Sequence, residues 1–158
     1  MRRVAVLVAT GFGLGYLPIA PATWASAATA LTLVFVLPRL ELPAFALLTL
    51  VVTAVAVWVS GPAEKTLGHD AHPIVIDEVA GMMITVCGVP AIGFAVPSHI
   101  LTLIVGFVLF RIFDVWKPPP VGRAQELPGG LGVVTDDVLA GLYSNLVLQI
   151  LARVWPGA

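Results

Sequence analysis

Five carboxylates stand out because of what surrounds them. Asp77 and Glu78 adjoin in Ile76-Asp77-Glu78-Val79-Ala80-Gly81, Asp136 and Asp137 adjoin in Thr135-Asp136-Asp137-Val138, and Asp114 sits in Arg111-Ile112-Phe113-Asp114-Val115-Trp116-Lys117, all beside or within apolar runs. A charged side chain near the centre of a membrane helix costs about 3 kcal/mol, so each is a functional candidate with a partner to be found. Four or five carboxylates meeting at one depth repel one another unless cations neutralise them. The chain has one cysteine and three histidines, so ligation by oxygen points to a hard divalent ion such as magnesium rather than zinc. The competing explanation is helix capping, because Asp and Glu in a first turn favour the positive end of the helix dipole. Capping accounts for either pair alone and much less well for both pairs together with Asp114.

Arg111, Asp114 and Lys117 recur at three-residue intervals, which places them along one helix face before Pro118-Pro119-Pro120 ends the helix. A guanidinium and an ammonium match a phosphate ester, with Asp114 ligating metal or orienting Arg111. The same segment also fits cations snorkelling to lipid headgroups, and alone it leaves both readings open. Pro128-Gly129-Gly130-Leu131-Gly132 precedes the Asp136 helix and either offers backbone N–H groups to an anion or forms only a turn. Gly81 and Gly141 follow Asp77 and Asp137 by one helical turn and permit close helix approach. His69 and Asp70 are accessory candidates for proton relay, although a lone surface histidine is more often a bystander. His72 and His99 are read as bystanders and Cys87 as a packing residue.

The elements that must position these groups are apolar. The 158 residues are 59% hydrophobic and 11% charged, with mean hydropathy +1.02, far from the soluble average of about a quarter charged. At about 20 residues per crossing, such a chain holds four or five membrane helices in a single domain and no large soluble part. The runs are 23–37, 42–60, 77–96, 98–116 and 136–155, predicting an all-α polytopic bundle of about five helices with a polar site at one face. The links 61–76 and 117–135 are long and polar, whereas those at 38–41 and Pro97 are short. With a cytoplasmic N-terminus, the long-loop face receives Arg2, Arg3, Lys65, Arg111, Lys117 and Arg123, leaving Arg39 and Arg153 opposite, as the positive-inside rule requires. Arg2, Arg3 and the apolar stretch after them imitate a signal peptide. However, Gly11, Gly13, Gly15, Pro18 and Pro21 interrupt that stretch and a further span follows, so it reads as a structured entrance loop, with the residues before Gly11 a candidate surface helix. Gly11-Phe12-Gly13-Leu14-Gly15 is no dinucleotide fingerprint, since no strand-helix-strand unit surrounds it.

Taken in order, Gly11-Phe12-Gly13-x-Gly15 with Pro18, Pro21, Thr23 and Ser26; Asp70 and Asp77-Glu78-x-x-Gly81; Arg111-x-x-Asp114-x-x-Lys117-Pro118-x-Pro120; and Gly129-Gly130-x-Gly132 with Asp136-Asp137 and Ala140-Gly141 closely resemble the phosphatidylglycerophosphatase A family. The likeness spans nearly the whole chain. It implies magnesium-dependent removal of the terminal phosphate from phosphatidylglycerophosphate, giving phosphatidylglycerol, in a multi-pass protein of the bacterial inner membrane with its active face cytoplasmic. The expected partner is that phospholipid, with no nucleic acid. Ala22 stands where the family usually has glycine, so the first loop is shaped differently.

The expected site therefore comprises Asp77, Glu78, Asp114, Asp136 and Asp137 as catalytic and metal-binding groups, and Arg111, Lys117, Gly129 and Gly130 against the phosphate, with Thr23, His69 and Asp70 as accessories. One or two magnesium ions would activate a water for in-line attack, with a carboxylate nucleophile as the mechanistic rival. The rival function is a divalent-cation or proton transporter, which requires polar groups through the midplane rather than at one end. No Ser-Gly-His triplet and no spaced-aspartate phosphotransferase pattern occurs.

Overall fold

The computed structural model describes residues 2–68, 71–89, 98–124 and 127–154, the side chains of 98 and 99 excepted. Every regular element among them is helical: α1 (Arg2–Ala9), α2 (Pro21–Val36), α3 (Leu42–Leu67), α4 (Ile76–Val86), α5 (Ser98–Trp116), α6 (Val121–Ala124) and α7 (Gly130–Val154), with short 3-10 turns at Leu14–Tyr16 and Leu37–Arg39. Proline opens α2 at its first position, where the missing N–H costs nothing and the fixed φ suits a helix. Three stretches, Pro21–Arg39, Leu42–Leu67 and Gly130–Val154, are long and apolar enough to cross a membrane. In the first two only 22% of the apolar stretch is buried inside the protein. Leu31, Phe35, Leu47, Leu50 and Trp58 accordingly point outward, as they do when hydrocarbon rather than water is the solvent.

The helices alternate in direction. The start of α2, the start of α4, the end of α5 and the second turn of α7 line one cavity, while Gly61 near the end of α3 lies against Gly130 at the start of α7. All five long or central helices thus present one terminus, or the turn beside it, to the same end of the bundle. Helix α4 occupies the middle, with Ala80, Gly81, Met82, Met83, Thr85 and Val86 buried. The core joins Met82, Met83 and Val86 to Leu33 of α2, Leu103 and Phe110 of α5 and Leu148 of α7. Helices α4 and α7 cross at close range. A Cβ on Gly141 would lie 2.6 Å from Gly81 O, and one on Gly81 would lie 2.5 Å from the Phe110 ring and 2.8 Å from Asp137 O. Only glycine allows those backbones so close.

Several sequence-based boundaries are corrected. The run expected over 77–96 as a crossing is an 11-residue helix ending at Val86, about 16 Å long and so half a hydrocarbon core; residues 90–97 lie outside the described ones. Its orphan carbonyls are met from far along the chain. Asn145 Nδ2 of α7 donates to Ile84 O at 3.1 Å, Thr85 O at 3.0 Å and Cys87 O at 2.7 Å, and Gln149 Nε2 donates to Asn145 Oδ1 at 3.1 Å. A helix end buried in an apolar bundle needs such partners. Helix α3 continues past Ser60 and through Pro62 to Leu67, shortening the expected loop. Helix α7 begins at Gly130 rather than Asp136. The acidic pair therefore sits in its second turn, where capping gives no account of it.

Candidate active site

The cavity at the shared end of the bundle has a volume of about 370 Å³ and is lined by Asp77, Glu78, Asp114, Asp136 and Asp137 together with Arg111 and Lys117. Four elements supply these groups. The first turn of α4 gives Asp77 and Glu78, the last two turns of α5 give Arg111 and Asp114, the residue after α5 gives Lys117, and α7 gives Asp136 and Asp137. All five carboxylates are buried. Asp77 and Glu78 precede Gly81, and Asp137 precedes Gly141, by about one turn, so the glycine crossing brings the acids of α4 and α7 together.

Arg111 ties α5 to α4. Its Nη1 donates to both oxygens of Glu78, at 2.9 and 2.8 Å, and pairs with Asp114 Oδ2 at 3.0 Å. Ser26 Oγ, fully buried in α2, donates to Glu78 Oε2 at 2.7 Å. On the other side Lys117 Nζ donates to Asp136 Oδ2 at 2.6 Å. Lys117 does not continue the α5 stripe as its spacing implies. It follows the helix with a left-handed φ of 47°, and its long side chain crosses to α7. Burial opposes the charge on Lys117, but the hydrogen bond to Asp136 and the charges of Asp136, Asp114 and Asp137 outweigh it, holding the ammonium above its ordinary range.

Five carboxylates facing two cations leave a surplus of negative charge in a largely desolvated space. Among the described residues Asp77 and Asp137 form no ion pair. Glu78, Asp114 and Asp137 each present an oxygen such that the three lie within 4.8 Å of one another. That set is all hard oxygen, from three different helices, and its chemistry fits magnesium. The residues present therefore suit the ion implied by the sequence.

The other expected residues fall differently. Thr23 lines the cavity. Gly129 and Gly130 do not: a Cβ on Gly130 would lie 2.0 Å from Val57 O and 2.9 Å from Gly61 N, so this glycine serves the crossing of α7 over α3. His69 and Asp70 lie outside the described residues. Two further groups belong to the site. Ser26 grips Glu78, and its place beside Pro18, Pro21 and Thr23 in the family likeness is the sequence signal for it. His72, read as a bystander, lines the cavity mouth, and nothing in its local sequence marks it.

A helical membrane bundle that gathers hard-oxygen ligands, an arginine and a lysine at one end defines a class, the integral-membrane proteins that handle an anionic group at the bilayer surface. Comparison with known proteins narrows it. The family model for phosphatidylglycerophosphatase A matches residues 7–152, and the chain belongs to that family of phosphatases. Its relatives include a Bacteroides thetaiotaomicron protein described as "Putative phosphatidylinositol-3-phosphatase", 36% identical over 92% of this chain and 91% of the relative. Phosphatidylglycerophosphatase A of Escherichia coli K12 is 34% identical over 95% and 84%, and that of Haemophilus influenzae is 33% identical over 90% and 85%. No solved structure matches the chain.

Proposed function

We propose that the protein hydrolyses the terminal phosphomonoester of phosphatidylglycerophosphate to phosphatidylglycerol, with magnesium held by Glu78, Asp114 and Asp137, at the cytoplasmic face of a bacterial inner membrane. The observation that carries the reading is the approach of three carboxylate oxygens to within 4.8 Å of one another in a cavity shared with Arg111 and Lys117. The substrate follows from the family and its two relatives of that name, and the face from the arginines and lysines gathered at the site end.

When bound, magnesium supplies positive charge that polarises the phosphoryl group and the attacking water. The protein supplies the rest. Water oxygen attacks phosphorus, the bond from phosphorus to the glycerol oxygen breaks, and inorganic phosphate and the lipid alcohol leave. Asp77, buried and without an ion pair among the described residues, takes the proton of the water in this reading. Lys117, held cationic by Asp136, stabilises charge on the departing oxygen. Arg111 keeps Glu78 and Asp114 in register and offers its remaining N–H groups to the phosphate. A carboxylate nucleophile would pass through a phosphoenzyme, so substrate phosphorus found bound to the protein after an acid quench within one turnover would exclude direct attack.

A cation or proton pathway fits less well. No Asp, Glu, Lys or Arg occurs between Asp137 and Arg153, between Glu78 and Arg111, or between Glu41 and Glu64, so the spans carry no charged relay through their middles. The test is phosphate release by purified protein from phosphatidylglycerophosphate, with and without magnesium, beside a 3-phosphoinositide. Magnesium-dependent release from the former is expected. Release from neither lipid refutes the reading, and preference for the inositide replaces the substrate.

A further inference from the structure

The loop from Gly11 to Ala20 is not absorbed by the chemistry above, yet it is built to hold a shape. Val75 N donates to Ala9 O at 2.9 Å, joining the start of the loop to the segment before α4. A Cβ on Gly15 would lie 1.9 Å from Pro73 O, so the loop seats directly on the Pro73 backbone. Phe12 and Ala20 both take left-handed φ values, 57° and 49°, conformations that persist in non-glycine residues where surrounding contacts fix them.

This loop borders three neighbouring cavities that share wall residues. The acidic cavity shares Ala20, Pro21 and His72 with a second of about 490 Å³, which also touches Tyr16 and Pro73. The second shares Leu17 and Pro18 with a third of about 460 Å³, completed by Ile19 and Trp24. Character changes in one direction along the series. The first is walled by carboxylates and cations, the second mixes backbone, imidazole and phenol, and the third is wholly apolar. Ile19 is 76% and Trp24 55% exposed, at the start of the membrane-crossing α2, the level at which tryptophan settles in a bilayer.

A phospholipid carrying a terminal phosphomonoester has the same order of parts: charge, a glycerol linker, then hydrocarbon. Resting on the phosphatase reading above, we propose that residues 11–24 form the lipid-side wall of the substrate site, with the glycerol linker in the cleft of Tyr16 and His72 and the first acyl carbons over Leu17, Ile19 and Trp24. The lipid then enters beside the N-terminus of α2 and remains in its leaflet while its phosphate reaches Arg111 and Lys117. The apolar end selects a diacyl substrate over a chain-free phosphomonoester.

The experiment compares kcat/KM for dioleoyl and dibutyryl phosphatidylglycerophosphate in mixed micelles, using full-length wild type, Trp24→Ala, Ile19→Asp and Trp58→Ala. Trp58 is equally large and exposed on α3, away from the series. The preference for the long chain is expected to fall by about tenfold or more in the first two variants, since each loses the burial of a large apolar contact, and to keep its wild-type value in Trp58→Ala. The dibutyryl rate reports folding in each variant. An unchanged preference in both loop variants overturns the proposal, as does an equal fall in Trp58→Ala, which would mark a general loss of membrane contact. If wild type releases phosphate from neither lipid, the phosphatase reading fails first, a result separable from a change in chain preference.

Discussion

Gly141→Ala probes the link between helix packing and chemistry. The added Cβ would stand 2.6 Å from Gly81 O, and ordinary contact begins at 3.4 Å, so α7 must retreat from α4 by about 0.8 Å along that vector, the difference of those two distances. Overpacking of this kind costs about 1–3 kcal/mol, while replacing glycine by alanine within a helix returns about 1 kcal/mol. The net loss is therefore about 0–2 kcal/mol, and the variant is expected to fold and to melt at most several degrees below wild type. Geometry suffers more. Glu78 and Asp137 lie within one turn of the crossing on either helix and share the carboxylate cluster, and a displacement near 1 Å can cost about 100-fold in rate. Phosphate release in detergent is expected to fall by about 10- to 100-fold, with more magnesium needed for half-maximal rate. Leu142→Ala, on the exposed side of the same helix, is the control and should retain activity. A Gly141→Ala protein with wild-type rate and magnesium dependence would refute the reasoning.

Other perturbations test separate contacts. Asn145→Leu removes the donor that serves three carbonyls at the end of α4, of which Ile84 O keeps the Cys87 N–H, and with about 1–3 kcal/mol per unsatisfied buried group it should lower the melting temperature clearly; an unchanged melt would mean the Thr85 and Cys87 carbonyls find other donors. Ser26→Ala removes one of the hydrogen bonds on Glu78, worth about 1–3 kcal/mol because the acceptor is charged, so the rate should drop by about tenfold while the protein folds normally. Lys117 has its pKa raised in the folded state, so its ion pair with Asp136 contributes fully below the ordinary lysine value of 10.5 and is lost as pH rises through the higher folded value. The stability difference between wild type and Lys117→Met should thus stay flat from neutral pH to that point and shrink only in stronger alkali. A difference that already fades near pH 7 would contradict the pairing.

The convergence of carboxylates was legible because charge is rare in this chain: with so few charged residues among apolar runs, Asp77, Glu78, Asp114 and Asp137 could hardly be accidental. The helical class followed from the same contrast, as did the glycines one turn from the acids. What stayed hidden depends on contacts distant in sequence. Gly129-Gly130 looks like a turn, yet Gly130 is the first residue of α7, and the Val57 carbonyl of α3 leaves no room there for a side chain. The stop of α4 at Val86 has a local mark in Gly88, which takes a left-handed φ of 78°, but the side chain that meets its last carbonyls, Asn145, lies 58–61 residues onward. Pro62 reads as a breaker but is carried inside α3. Lys117 has the spacing of a helix face, while its left-handed backbone sends it to Asp136.

The most direct measurement is a titration of the solubilised protein with manganese followed by electron paramagnetic resonance, with magnesium as competitor, in wild type and in Asp137→Asn. Saturable binding that magnesium displaces is expected in wild type, together with a large loss of affinity in the variant, because Asp137 supplies one oxygen of the three-carboxylate cluster. Equal binding by both proteins, or none by wild type, would contradict a metal site at Glu78, Asp114 and Asp137.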